Sequence, residues 1–236
     1  LDAILQAMES VTDQDHQLAI AKGISTGLPR SNFKTKNLAA FIASPPEQLT
    51  HSTNSLSQIV DLANELAQDE SQSAVTRVAA IEIASQNDFA SVLQRTFSLI
   101  TPAQPSDVQT AAVRSLGRFS KNRKETAQFF FNQWKTLTPP TRREAINLLT
   151  GNNESAVLLM EQMKAGHISP SNMPPMKQWV YGRSQVPKIK SLAGELFGKT
   201  ASSRNAVIED YLPALSSHTP NHKNGANALQ KGTCLA

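Results

Sequence analysis

Apolar residues recur along this chain at helical rather than strand spacing, and one segment sets the pattern for the rest. Over residues 106–119, Val108, Ala112, Leu116 and Phe119 fall at i, i+4, i+8 and i+11 on one face, while Gln109, Arg114 and Arg118 take the wet side. Ser106 with Gln109 three places on reads as a capping box that opens this helix. So narrow a stripe cannot hold an isolated helix in water, because helices of this length need a partner surface. The partners are copies within the same chain. Arg77-x-x-Ala80-Ile81-x-x-Ala84 precedes Gln109-x-x-Ala112-Val113-x-x-Leu116 by 32 residues, and Arg142-x-x-Ala145-Ile146-x-x-Leu149 follows it by 33. A weaker copy, His16-x-x-Ala19-Ile20-x-x-Gly23, lies roughly two periods upstream.

Each copy is followed by a second helical stretch, over 89–100, 125–137 and 154–164. These stripes are broader and richer in large side chains: Phe89, Val92, Leu93, Phe97 and Ile100 in the first, Ala127, Phe130, Phe131, Trp134 and Leu137 in the second, Ala156, Leu159, Met160 and Met163 in the third. The second helices are therefore expected to line the inner seam and carry most of the core volume. Prolines at 102, 105, 139, 140, 170, 174 and 175 fall where helices should end or begin, since proline cannot continue a helix yet is welcome in its first turn. Gly23, Gly117, Gly151, Gly166 and Gly198 are assigned to helix ends as caps. Upstream, residues 1–27 read as two short helices, 30–53 as a polar connecting segment with one apolar run at 38–42, and 56–68 as a further helix. Downstream, helices are expected at 173–181, 188–197 and 204–215.

The fold class predicted is all-α, an α-solenoid of helical pairs with a 32–33-residue period. Its organisation is an N-terminal helical pair with a polar connecting segment (1–55), the solenoid (56–215), a linker (216–224) and a short terminal segment (225–236). Ankyrin and tetratricopeptide repeats share such periods, but neither the Thr-Pro-Leu-His turn of the first nor the Trp/Gly/Tyr pattern of the second is present. Paired helices with an Arg-x-x-Ala-Ile-x-x-Leu core resemble short HEAT-like repeats.

The terminal segment, Gly225-Ala-Asn-Ala-Leu-Gln-Lys-Gly-Thr-Cys234-Leu-Ala236, resembles the first helix of a c-type cytochrome. In that family a Gly opens the helix, an apolar residue follows about four places on, here Leu229, and the attachment cysteines of Cys-x-x-Cys-His come next. The order of elements, together with Leu137-Thr-Pro-Pro-Thr-Arg-Arg-Glu-Ala-Ile-Asn-Leu-Leu, Ala165-Gly-His-Ile-Ser-Pro and Ala193-Gly-Glu-Leu-Phe-Gly, resembles the repeat region of large multidomain proteins of planctomycete-type bacteria. In those a propeller-like dehydrogenase domain, HEAT-like repeats and a C-terminal cytochrome c module follow one another. The resemblance implies a piece of a longer chain, export to the periplasm, haem c and electron transfer in the parent protein, and no catalytic residue in this segment. Cys234 is then a haem anchor, provided the second Cys and the His follow at 237 and 238; without them it is a surface thiol.

Composition narrows the alternatives. Apolar residues make up 39% of the chain and aromatics only 6%, which suits helices packed through Ala, Leu, Ile and Val. The net charge of +4 is mild, and its densest part, Arg114, Arg118, Lys121, Arg123 and Lys124, straddles a helix end, where cations complement the dipole. The one aromatic among those charges, Phe119, belongs to the apolar stripe rather than to a stacking platform, so no nucleic acid is expected as a partner. No run of eighteen apolar residues exists, so no membrane span is expected. The histidines at 16, 51, 167, 218 and 222 are scattered, and Pro220 between His218 and His222 argues against a metal-binding helical pair. Met160, Met163, Met173 and Met176 read as gap-filling core, and Asp2, Glu9, Asp13, Asp15, Glu209 and Asp210 as solvated carboxylates. The expectation is a non-catalytic scaffold that links redox domains of its own chain or docks other proteins. The alternatives are a stand-alone HEAT-like protein-binding module and a HEAT-like nucleic-acid-binding protein.

Overall fold

A computed structural model describes residues 1–35, 37–49, 53–217, 224, 225 and 227. The described residues are helical, with no strand among them. Two compact units divide the chain, Leu1–Pro175 and Met176–Ala236. The first holds α1 (Asp2–Glu9), α2 (Gln14–Gly27), α3 (Leu38–Ala43), α4 (Thr53–Leu66), α5 (Ala74–Ala84), α6 (Phe89–Leu99), α7 (Ser106–Ser115), α8 (Arg123–Gln133), α9 (Pro139–Leu149) and α10 (Asn153–Lys164). Short 3-10 turns at Leu28–Arg30, Glu47–Leu49, Leu116–Arg118 and Pro170–Asn172 join some of them.

Local chemistry sets these boundaries. Side-chain oxygens of Asp13, Ser73, Asp88 and Asn152 accept the N–H three residues on, at His16, Thr76, Ser91 and Ser155, and so open α2, α5, α6 and α10. Pro139 and Pro140 start α9. The capping box expected at Ser106 is not made: Pro105 holds the N-cap position of α7 without a side-chain bond. Of the five glycines assigned to caps, Gly166 alone has positive φ, +78°, and it closes α10 as the His167 N–H reaches back to the Gln162 carbonyl. Gly23 and Gly198 instead lie inside helices.

Packing runs through the first helix of each pair. α5 packs on α7 and α7 on α9, and α2 extends the row onto α5. Ala80, Ala84, Ala112 and Ala145 are fully buried along it, and such small side chains let helix axes approach closely. The seam between successive pairs therefore belongs mainly to the first helices, contrary to the expectation from side-chain size. Bulk alone did not decide it. Among the second helices, α8 packs on α10, yet Phe97 of α6 is 55% exposed.

The polar position that opens each copy has a structural task. Arg77 Nε donates to the Ala67 carbonyl at 3.3 Å, Gln109 Nε2 to the Gln104 carbonyl at 2.7 Å, and Arg142 Nε to the Trp134 carbonyl at 3.1 Å. Each side chain thus satisfies main-chain acceptors of the stretch just before its own helix. Gln109, placed on the wet side by its spacing, is 3% exposed and also accepts the hydroxyls of Thr138 at 2.8 Å and Thr141 at 2.6 Å. The cap at Asp88 gives a measurable pH signature. The Ser91 hydroxyl and N–H hold its carboxyl below the usual value of 3.8, so the stability it adds is complete above about pH 4 and is lost as pH falls through the depressed value. Asp88→Ala is expected to cost about 1 kcal/mol at pH 7 in chemical denaturation, and proportionately less at pH 3.

The second unit holds α11 (Pro175–Gly182) and α12 (Pro187–Ser217). α12 is one helix of 31 residues where two were expected. Val207 and Tyr211 lie eighteen residues, five turns, after Ile189 and Ala193, so both stripes share one face and nothing forces a break between them. Ile189, Leu192 and Ala193 are buried, whereas Ile208, Tyr211 and Leu212 are exposed.

Candidate interaction groove

A groove of about 590 Å³ runs across α2, α5 and α7. The row of first helices creates it. Ala111 and Ile83 form its buried floor, Thr110 is half-buried, and Val75 and Asp107 stand exposed at its margin. Three cations belong to the groove, and each is held by a partner from another helix or from the turn that follows one. Lys22 of α2 pairs with Glu82 of α5. Arg114 of α7 forks onto Glu144 of α9, with Nε at 2.8 Å and Nη2 at 3.3 Å. Arg118 Nη2 donates to Gln86 Oε1 at 2.7 Å. The Glu144 hydrogen bond raises the Arg114 guanidinium above its ordinary value, and burial lowers that of Arg118.

Chemically this is an apolar floor between alternating charges, suited to a polypeptide segment that carries both kinds of group. A phosphate backbone would have to compete with Glu82 and Glu144 for Lys22 and Arg114, and that weakens the groove as a nucleic-acid site. Lys124 of the same basic stretch is likewise tied, to Glu154 at 3.5 Å.

No family model, curated protein or solved structure matches this chain. The groove therefore rests on its own geometry.

Cys234, the expected haem anchor, lies outside the described residues, as do His51, His218 and His222. His16 is exposed beside Asp13 at 3.3 Å, and His167 Nδ1 bonds Gln162 Oε1 at 2.8 Å. Among the described residues no group of three His, Cys, Asp or Glu side chains gathers as a metal site would require. Met160, Met163 and Met173 are buried core, but Met176 is 70% exposed, so the four do not form one cluster. Asp13, Asp15, Glu209 and Asp210 are exposed. The groove was not foreseen from the sequence. Its signal was present in the alternation of Glu82, Arg114 and Arg118 around the repeat copies, but which helices would lie side by side was not.

Proposed function

We propose that this chain is a non-catalytic α-solenoid of HEAT-like helical pairs that serves as an interaction scaffold. The observation that carries the reading is the ordered packing of α2, α5, α7 and α9, which brings side chains from three successive first helices to one groove. Arrays of this kind bury a continuous core while leaving one long face for partners. In this reading the partners are neighbouring domains of the same protein, with redox domains on either side and haem c carried beyond Cys234. That redox connection rests on the resemblance of residues 225–236 to a cytochrome helix, and export to the periplasm rests on the same likeness. The groove, with its paired charges, favours a second reading as a stand-alone protein-binding module.

One experiment separates the two. The complete gene product is expressed with a haem-maturation system, denatured, and its visible spectrum recorded. A covalently retained haem band that disappears in Cys234→Ser is the expected result. A folded but colourless protein removes the redox reading and leaves the binding module.

A further inference from the structure

We propose that α11 and the start of α12 form a contact for an anionic phospholipid surface. Met176, Trp179 and Val180 are exposed at i, i+3 and i+4, one apolar stripe along α11, and Trp179 is 56% exposed. Tyr181, off this stripe, is buried and keeps it turned outward. Arg183 extends the stripe at i+7, just past the helix end, and its guanidinium lies over the Trp179 ring, 4.2 Å from the centroid. An apolar anchor and a cation are thus held side by side.

Charge selects the partner. Lys177, Arg183, Lys188 and Lys190 fall within residues 177–190, and no Asp or Glu occurs between Glu161 and Glu195. Lys188 and Lys190 stand at the start of α12, whose first turn holds no acidic residue. A helix N-terminus favours carboxylates, so the dipole gives no reason for lysines there. In the first unit, by contrast, Lys22, Arg114 and Lys124 are met by Glu82, Glu144 and Glu154. Three apolar side chains are far short of the roughly 20–30 residues a side that a stable protein interface takes. A nucleic acid could stack on Trp179 but has no use for Met176 and Val180, and Arg183 already covers the ring. A lipid surface uses every part: the indole sits at headgroup level, Met176 and Val180 reach the acyl boundary, and the cations meet phosphates. A helix of 8 residues can only lie in that surface, and no helix among the described residues is long and apolar enough to cross a membrane.

The proposal goes beyond the scaffold reading and does not depend on haem. The chain is expected to co-sediment with vesicles of phosphatidylcholine containing about 30 mol% phosphatidylglycerol, to stay in solution with vesicles of phosphatidylcholine alone, and to be released from the first by about 0.5 M salt. Of the two tryptophans Trp134 is buried and Trp179 exposed, so a blue shift of emission on anionic vesicles reports Trp179 entering the interface. Trp179→Ala is expected to weaken binding about tenfold, and Arg183→Gln combined with Lys190→Gln about fivefold for each cation removed. All three positions are exposed, so Tm should stay essentially unchanged in these variants. Equal partition to both kinds of vesicle, binding to neither, or binding that both variants leave intact would overturn the proposal. So would retention of the chain by a labelled single-stranded oligonucleotide in place of vesicles, which would give the patch to nucleic acid.

Discussion

Arg77→Ala is expected to lower the unfolding free energy by about 3 kcal/mol, which for a chain of this size is a fall in Tm of roughly 6–12 °C. The guanidinium is 2% exposed, and its donors reach the Ala67 carbonyl at 3.3 Å and Gln104 Oε1 at 2.7 Å. Gln104 in turn donates to Glu70 at 2.6 Å, so one side chain holds the connection before α5 and the connection before α7 together. Truncation leaves those acceptors without their donor and opens a void the length of an arginine. Arg77→Lys keeps the charge but not the fork, and less than half of the loss should be recovered. Differential scanning calorimetry on the three proteins checks the order; equal Tm values for all would show that the network adds nothing.

Phe130→Ala is expected to cost about 3–5 kcal/mol, and Phe97→Ala no more than about 0.5 kcal/mol. Both residues belong to apolar stripes of second helices and look equivalent in the sequence. In the fold Phe130 is 0% exposed and lies edge-on to Phe129 with centroids 5.3 Å apart, whereas Phe97 faces solvent. Urea denaturation of the two variants tests the difference. A large loss from Phe97→Ala would mean that the outer side of α6 is covered in solution.

These two residues mark the limit of what periodicity carries. The spacing of Ala and Ile in residues 77–84, 109–116 and 142–149 located three first helices, because small residues at helical spacing state both the element and its contact face. The burial of Gln109 was not legible, since its partners Thr138 and Thr141 arrive from the next pair, some thirty residues away. A polar side chain is assigned to water until its partners are known. The continuity of α12 was missed for a different reason. Gly198, Thr200, Ser202 and Ser203 are weak helix formers, and this composition concealed that the flanking stripes are in phase. In α2 the copied spacing placed a helix correctly but not its face, because Leu18, Ala21 and Ile24 turn inward instead. The groove depends on which helices become neighbours, and its cations show how far their partners lie in sequence: Arg114 finds Glu144 and Arg118 finds Gln86, each about one period away.

The succession of α5, α7 and α9 also governs how the chain can acquire its structure. Each helical pair finds a principal neighbour in the pair made just before it, so the native contacts along this part of the row span about one period of sequence. Loop closure over such distances is inexpensive, and topologies of this kind fold quickly. On the ribosome, each pair can therefore dock on its predecessor soon after it emerges, without waiting for the end of the chain.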